Sequence, residues 1–194
     1  ISVDQAVDVA RESADIILLQ QDLNVLKDGI VDGRRTFANT FKYVAIAVSS
    51  NFGNMISMAL GTLLVPFLPL LAKQILLNNF LADFPAVAIA SDNVDAQSVE
   101  RAQRWDIASV QRFMVVFGLS STLFDLVTFG LLLGVYHAGE ALFHTTWFVV
   151  SLLTQLSALL ILRTHLPAWK SRPSQLLAMT AAIVAVIALA LPYV

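Results

Sequence analysis

Five apolar stretches, at about residues 44–65, 70–90, 113–136, 147–162 and 176–194, govern what this chain can become. A helix needs ~20 apolar residues to cross the hydrocarbon of a bilayer, and the stretch 147–162 is the short one of the set. The chain is 57% hydrophobic with a mean hydropathy of +0.73 and only 13% charged residues. Soluble domains run nearer half apolar and about a quarter charged. The expected fold is therefore an all-α polytopic membrane bundle of about five transmembrane helices, with the lipid bilayer as its first partner.

Residues 1–33 are the soluble-looking block. Ala6 to Ala14 has helical composition, Asp15-Ile16-Ile17-Leu18-Leu19 is a short apolar run suited to a buried parallel strand, and Leu23 to Ile30 returns to helical spacing. Such an α/β fragment is too small to bury a core of its own. Ile1-Ser2-Val3 reads like the interior of a longer protein. A stalk helix is expected from about Gly33, covering 34–43 and running into the transmembrane part, 44–194. Of the twelve Lys and Arg, eleven lie before the first span or in the loops after the second and fourth; Lys73 alone lies opposite. By the positive-inside rule those regions, and the N-terminal block, face the cytoplasm.

There is no cysteine, which excludes disulfide and thiol chemistry, and His137, His144 and His165 are too scattered for a zinc pattern. A net charge of −2 gives no reason to expect a nucleic-acid partner.

The first two spans carry polar residues that lipid would not tolerate: Ser49-Ser50-Asn51-Phe52-Gly53-Asn54, then Asn78-Asn79 and Asp83-Phe84-Pro85. Asn51 and Asn54 are three apart and Asn79 and Asp83 four apart, so each pair shares a helix face. The short link Val65–Pro69 makes the two helices antiparallel neighbours, and the polar faces are expected to meet. Pro85 is expected to kink or unwind the helix around Asp83, freeing carbonyls beside a carboxylate, which is oxygen ligation for a hard cation. Ser49, Ser50 and Asn78 fit a simpler role as glue between helices. Asp125, a second mid-span acid, is open to three readings: ligand, proton carrier or buried neutral carboxyl. Gln155, in a stripe with Ser151, Thr154 and Ser157, is either packing glue or part of an ion pathway. Trp105, Trp147, Trp169 and Tyr136 are placed as interface anchors at span ends.

Ala10-Arg11-Glu12-Ser13-Ala14-Asp15, Gly33-Arg34-Arg35-Thr36-Phe37-Ala38-Asn39, Ser49-Ser50-Asn51-Phe52-Gly53-Asn54 and Asn79-Phe80-Leu81-Ala82-Asp83 occur in one order along the chain. Together they resemble the C-terminal part of a P-type cation-transporting ATPase, over nearly the whole length. The resemblance is strongest to the bacterial magnesium-transporting members, through Arg104-Trp105-Asp106, Phe124-Asp125 and Trp147-Phe148 as well. It implies that 1–33 close the phosphorylation domain, that 34–43 are the stalk, and that the first two spans are membrane helices five and six. Asn51, Asn54, Asn79 and Asp83 would then be the ion-binding residues, with Asp83 and Asn79 on the metal. Calcium pumps carry a carboxylate at the position of Asn54. One acid among amides suits Mg2+, which dehydrates reluctantly and is often held by one or two carboxylates with waters retained.

The resemblance implies a magnesium importer of the inner membrane, with Mg2+ as cargo and also beside ATP. The Asp-Lys-Thr-Gly loop and nucleotide-binding domain are not in this stretch, so no catalytic residue is assigned, and the missing N-terminal part of the pump is the expected partner. One departure stands out: Val150 occupies a place near which the magnesium pumps' eighth helix has an acid; a sixth span of the C-terminal set is expected to follow Val194. The rival readings are a P-type pump for calcium, potassium or protons, and a scaffold or passive ion pathway that hydrolyses no ATP.

Overall fold

The computed structural model describes residues 1–20, 22–164, 166–167 and 170–193. Its N-terminal block pairs strand β1 (Ser2–Val3) in parallel with β2 (Ile17–Leu18), with helix α1 (Asp8–Glu12) between them. The strand lies inside the apolar run that foretold it, but only two of its residues pair.

Helix α2 then runs unbroken from Leu23 to Leu64, 42 residues. It starts ten residues before the expected stalk onset at Gly33, because Asp22 caps it: the Asp22 carboxylate accepts the Asn24 N–H at 2.8 Å. The segments expected as stalk and first span lie in one helix. The helix ends where Pro66 forces Val65 into extended backbone (φ −123°, ψ 148°). Helix α3 (Ala72–Ala88) follows, opened by the Leu71 N–H donating to Gln74 Oε1, and ends in a 3-10 turn, Ile89–Ser91. The expected unwinding at Pro85 does not occur: helical backbone continues through it to Ala88. The fixed φ of proline is compatible with a helix, and its cost is confined to the ring and the bond lost by Leu81.

The polar loop expected over 91–111 is shorter than its sequence suggested. It contains helix α4 (Ala96–Glu100), and helix α5 (Ile107–Gly134) begins at Ile107. Asp106 sets that start by accepting from the Ala108 N–H and the Ser109 hydroxyl. The Ser109 bond is the main reason its carboxyl lies below the usual carboxylate range. Helix α6 (Glu140–Leu162) has 23 residues, so the short fourth span is corrected to full length. Its first two turns, with Glu140 at the positive end of the helix dipole, take Glu140 and His144 out of the expected connector and leave His137 and Gly139 before the helix. Helix α7 (Gln175–Ala190) is capped by the Ser174 hydroxyl.

Among the described residues four helices, α2, α5, α6 and α7, are long and apolar enough to cross a membrane. Helix α3, with 17 residues including Lys73 and Asp83, is shorter than these and more polar. Helix α5 lies along α2, and α3 packs between α6 and α7. The α2–α5 seam is tight: a Cβ on Gly118 would sit 2.6 Å from Phe52 and one on Gly53 2.9 Å from the Gly118 carbonyl. A core of Phe129, Phe143, Trp147, Leu152 and Leu156 joins α5 to α6.

Candidate functional site

Helices α2 and α3 present the amides of the first and second apolar stretches to one shared space. Asn51, Asn54, Asn78 and Asn79 line one cleft of about 500 Å³, which extends along Met58 and Thr62 toward the α2–α3 link. A crevice of about 40 Å³ adjoins it, lined by Asn51, Asn79 and Asp83 together with Ser50 and Gln155. Asn51 and Asn79 belong to both spaces, Asn54 to the cleft and Asp83 to the crevice. The four predicted residues thus occupy two adjoining compartments.

Among the described residues, the Asp83 carboxylate has neither a hydrogen bond nor an ion pair, and the amides of Asn51, Asn54 and Asn79 are equally unengaged. Asp83 and Asn51 are exposed, on a face that also shows Met55, Leu76 and Phe80. No three His, Asp or Glu side chains converge among the described residues. The oxygen set on offer is one carboxylate and side-chain amide carbonyls, the donor chemistry of a hard cation that retains water.

The other polar residues of the spans are engaged. Asn78 donates to the Phe148 carbonyl and accepts from Gln155 Nε2 at 2.9 Å, and Gln155 also donates to Ser151. That is helix glue between α3 and α6, as Asn78 suggested. Ser49 bonds back to the Ala45 carbonyl. Asp125 is buried and held by two neutral donors, the Ser57 hydroxyl at 2.6 Å and the Trp147 indole at 3.0 Å. Trp147 is therefore corrected from interface anchor to buried partner, 2% exposed, because its helix starts a full two turns earlier than composition indicated. Trp105 packs edge-on against Phe37 and Phe41 of the stalk part of α2, Tyr136 is exposed just past α5, and Trp169 and His165 lie outside the described residues.

Residues 67–194 match the family model described as cation transporting ATPase, C-terminus. This chain belongs to that family. It is the membrane-embedded C-terminal part of a cation-transporting P-type ATPase. Over its full length it is 46% identical to the magnesium-transporting ATPase, P-type 1, of Escherichia coli K12, and 47% identical to the protein of that name in Salmonella typhimurium 14028s. It spans 22% of the length of each. A calcium-transporting ATPase of Bacillus subtilis is 32% identical over half of the chain, which covers 11% of that protein.

At one end of this ATPase part lies a cluster that the spacing of residues did not reveal. Asp92, just past the 3-10 turn, receives Arg163 Nη1 from the end of α6 at 3.0 Å, the Ser174 N–H at 2.9 Å and, at 3.9 Å, Lys42 Nζ from α2. Asn39 donates to the Asp92 and Ala90 carbonyls, and Arg163 also reaches Ser171. Arg34 adds bonds to the Val99 and Glu100 carbonyls. The N-terminal half of α2, the loop after α3 and the α6–α7 connection are thereby clasped together. Asp92 and Arg163 are 71 positions apart, so the one available signal was an acid and an arginine each abutting an apolar stretch.

Proposed function

We propose that the intact protein is an ATP-driven pump importing Mg2+, and that Asp83, with Asn79, Asn51 and Asn54, binds the ion. The observation that carries this reading is the unpaired Asp83 carboxylate opening onto a crevice shared with three side-chain amides, those of Asn51, Asn79 and Gln155. An unpaired carboxylate within the bilayer costs several kcal/mol unless a cation or water meets it, so a ligand is its natural partner. The names and full-length identity of the magnesium-transporting relatives favour Mg2+ over other cations. One carboxylate supplemented by amides and retained water suits that ion.

The N-terminal block and the Asp92 cluster would face the cytoplasm, where the rest of the pump binds ATP and is phosphorylated. The unbroken α2 rod would carry that change to the site, since a 42-residue helix moves as a lever rather than bending at the membrane surface. Tilting it against α3 would widen the crevice toward one side and then the other.

The test is transport by the intact pump carrying Asp83→Asn, measured as Mg2+ uptake and as ion-stimulated ATP hydrolysis. Loss of both with the protein still folded is expected; normal uptake would refute the site. Uptake of Ca2+ or K+ by the unaltered pump, with Mg-ATP supplied and no Mg2+ taken up, would refute the ion.

A further inference from the structure

A second large space lies on the other side of the Asp83 crevice. It is a cleft of about 480 Å³ between α2, α5 and α6, reaching from Ser50 and Gln155 past Ser121 and Thr154 to Leu162 at the Arg163 end of the bundle. The first cleft runs the opposite way, toward Thr62 and Leu70 at the α2–α3 link. Ser50 and Gln155 line both the crevice and the second cleft, just as Asn51 and Asn79 line both the crevice and the first.

The wall of the second cleft is mostly apolar, but it carries a set of uncharged polar side chains. Ser49, Ser120 and Ser157 return their hydroxyls to carbonyls four residues back. Ser50, Ser121 and Thr154 do not, and among the described residues their hydroxyls have no partner. Gln155 is 8% exposed; both its bonds are made through Nε2, which leaves its carbonyl oxygen unpaired among the described residues. In hydrocarbon, each unmatched hydroxyl or carbonyl costs on the order of 1–3 kcal/mol, and serines avoid that cost by bonding backward. Three that do not, beside the amide oxygen of Gln155 in one space, call for water. The volume holds on the order of fifteen molecules at about 30 Å³ each.

We propose that this α2–α5–α6 cleft is a water-filled half-channel through which the hydrated cation passes between the Asp83 crevice and the Arg163 end of the bundle, with Gln155 as the partition. The inference rests on Asp83 as the cation site. Neutral hydroxyls suit such a conduit, because they hydrogen-bond to the waters of the ion without trapping its charge. Gln155 is held across the boundary by Asn78 and Ser151, and releasing that bond pair opens the crevice to the cleft.

The test uses the intact pump with cysteines elsewhere replaced, carrying Ser121→Cys or Thr154→Cys, in inside-out membrane vesicles. A membrane-impermeant, positively charged methanethiosulfonate reagent is added, and each variant is compared with itself untreated. Both thiols are expected to react at least tenfold faster than a thiol placed by Val127→Cys on the lipid-facing side of α5, and Mg2+ transport is expected to fall at least fivefold on labelling. Reaction no faster than at position 127 overturns the half-channel; fast reaction with transport intact overturns its use by the cation. If Asp83→Asn transports normally while labelling still blocks transport, the Asp83 site fails and the passage stands.

Discussion

Asp92 and Asp83 lie nine residues apart on either side of the same proline, yet the two regions treat an acid in opposite ways. Asp92 is buried and saturated, with a guanidinium, an ammonium and a backbone N–H on its two oxygens. Asp83 is exposed toward an amide-lined crevice and saturated by nothing among the described residues. Asp125 stands between these extremes, buried with two neutral donors. An acid whose partners are all supplied by the fold contributes to holding helices in place. An acid with no partner from the fold has its valence left for something that comes and goes. The difference separates framework from site more sharply than the mere presence of polar residues in a span.

Removing one partner of the saturated acid should produce the largest loss of stability. Arg163→Leu leaves Asp92 buried with less than its full set of donors, and about 3–5 kcal/mol is expected, read from thermal or denaturant unfolding of the intact pump in detergent. A smaller loss than from any exposed substitution would break the contrast. Gly118→Ala comes next: its Cβ would press on Phe52 and the Ser49 carbonyl at 3.1 Å, costing about 1–3 kcal/mol by the same assay. Trp147→Phe deprives Asp125 of its indole donor, and about 1–3 kcal/mol is expected, with the loss reduced when Asp125→Asn is made in the same chain. Asp106→Ala removes a fully exposed cap of α5 and should lower stability least. Because the Asp106 carboxyl is depressed, its contribution is present above the ordinary aspartate pKa and fades as pH falls through the lower folded value.

Much of the framework is legible in the sequence because its signals are local. Apolar length marks the five helices, Val65-Pro66 marks the end of the first, and the Asn51/Asn54 and Asn79/Asp83 spacings put the amides on facing sides. Errors arose where a helix start is set by the residue before it rather than by hydropathy, as at Asp22 and Asp106, whose carboxylates cap α2 and α5, and at Gly139 before α6. The misplaced start of α6 also turned Trp147 into an apparent interface residue. The Asp92 clasp stayed hidden for a different reason: its members come from four separate segments, and no periodicity links Lys42, Asp92, Arg163 and Ser174. Asp125 was visible as a mid-span acid, but its donors Ser57 and Trp147 lie on two other helices, which left its role open until the packing was known.

The most direct test places the two acids side by side in the intact pump, measuring unfolding temperature and Mg2+ uptake for Asp83→Asn and Asp92→Asn. The account predicts that Asp83→Asn unfolds as the unaltered pump does, within about 0.5 kcal/mol, while uptake is abolished, and that Asp92→Asn is the destabilised one. An Asp83→Asn pump that takes up Mg2+ normally, or that loses uptake only because it no longer folds, would contradict it.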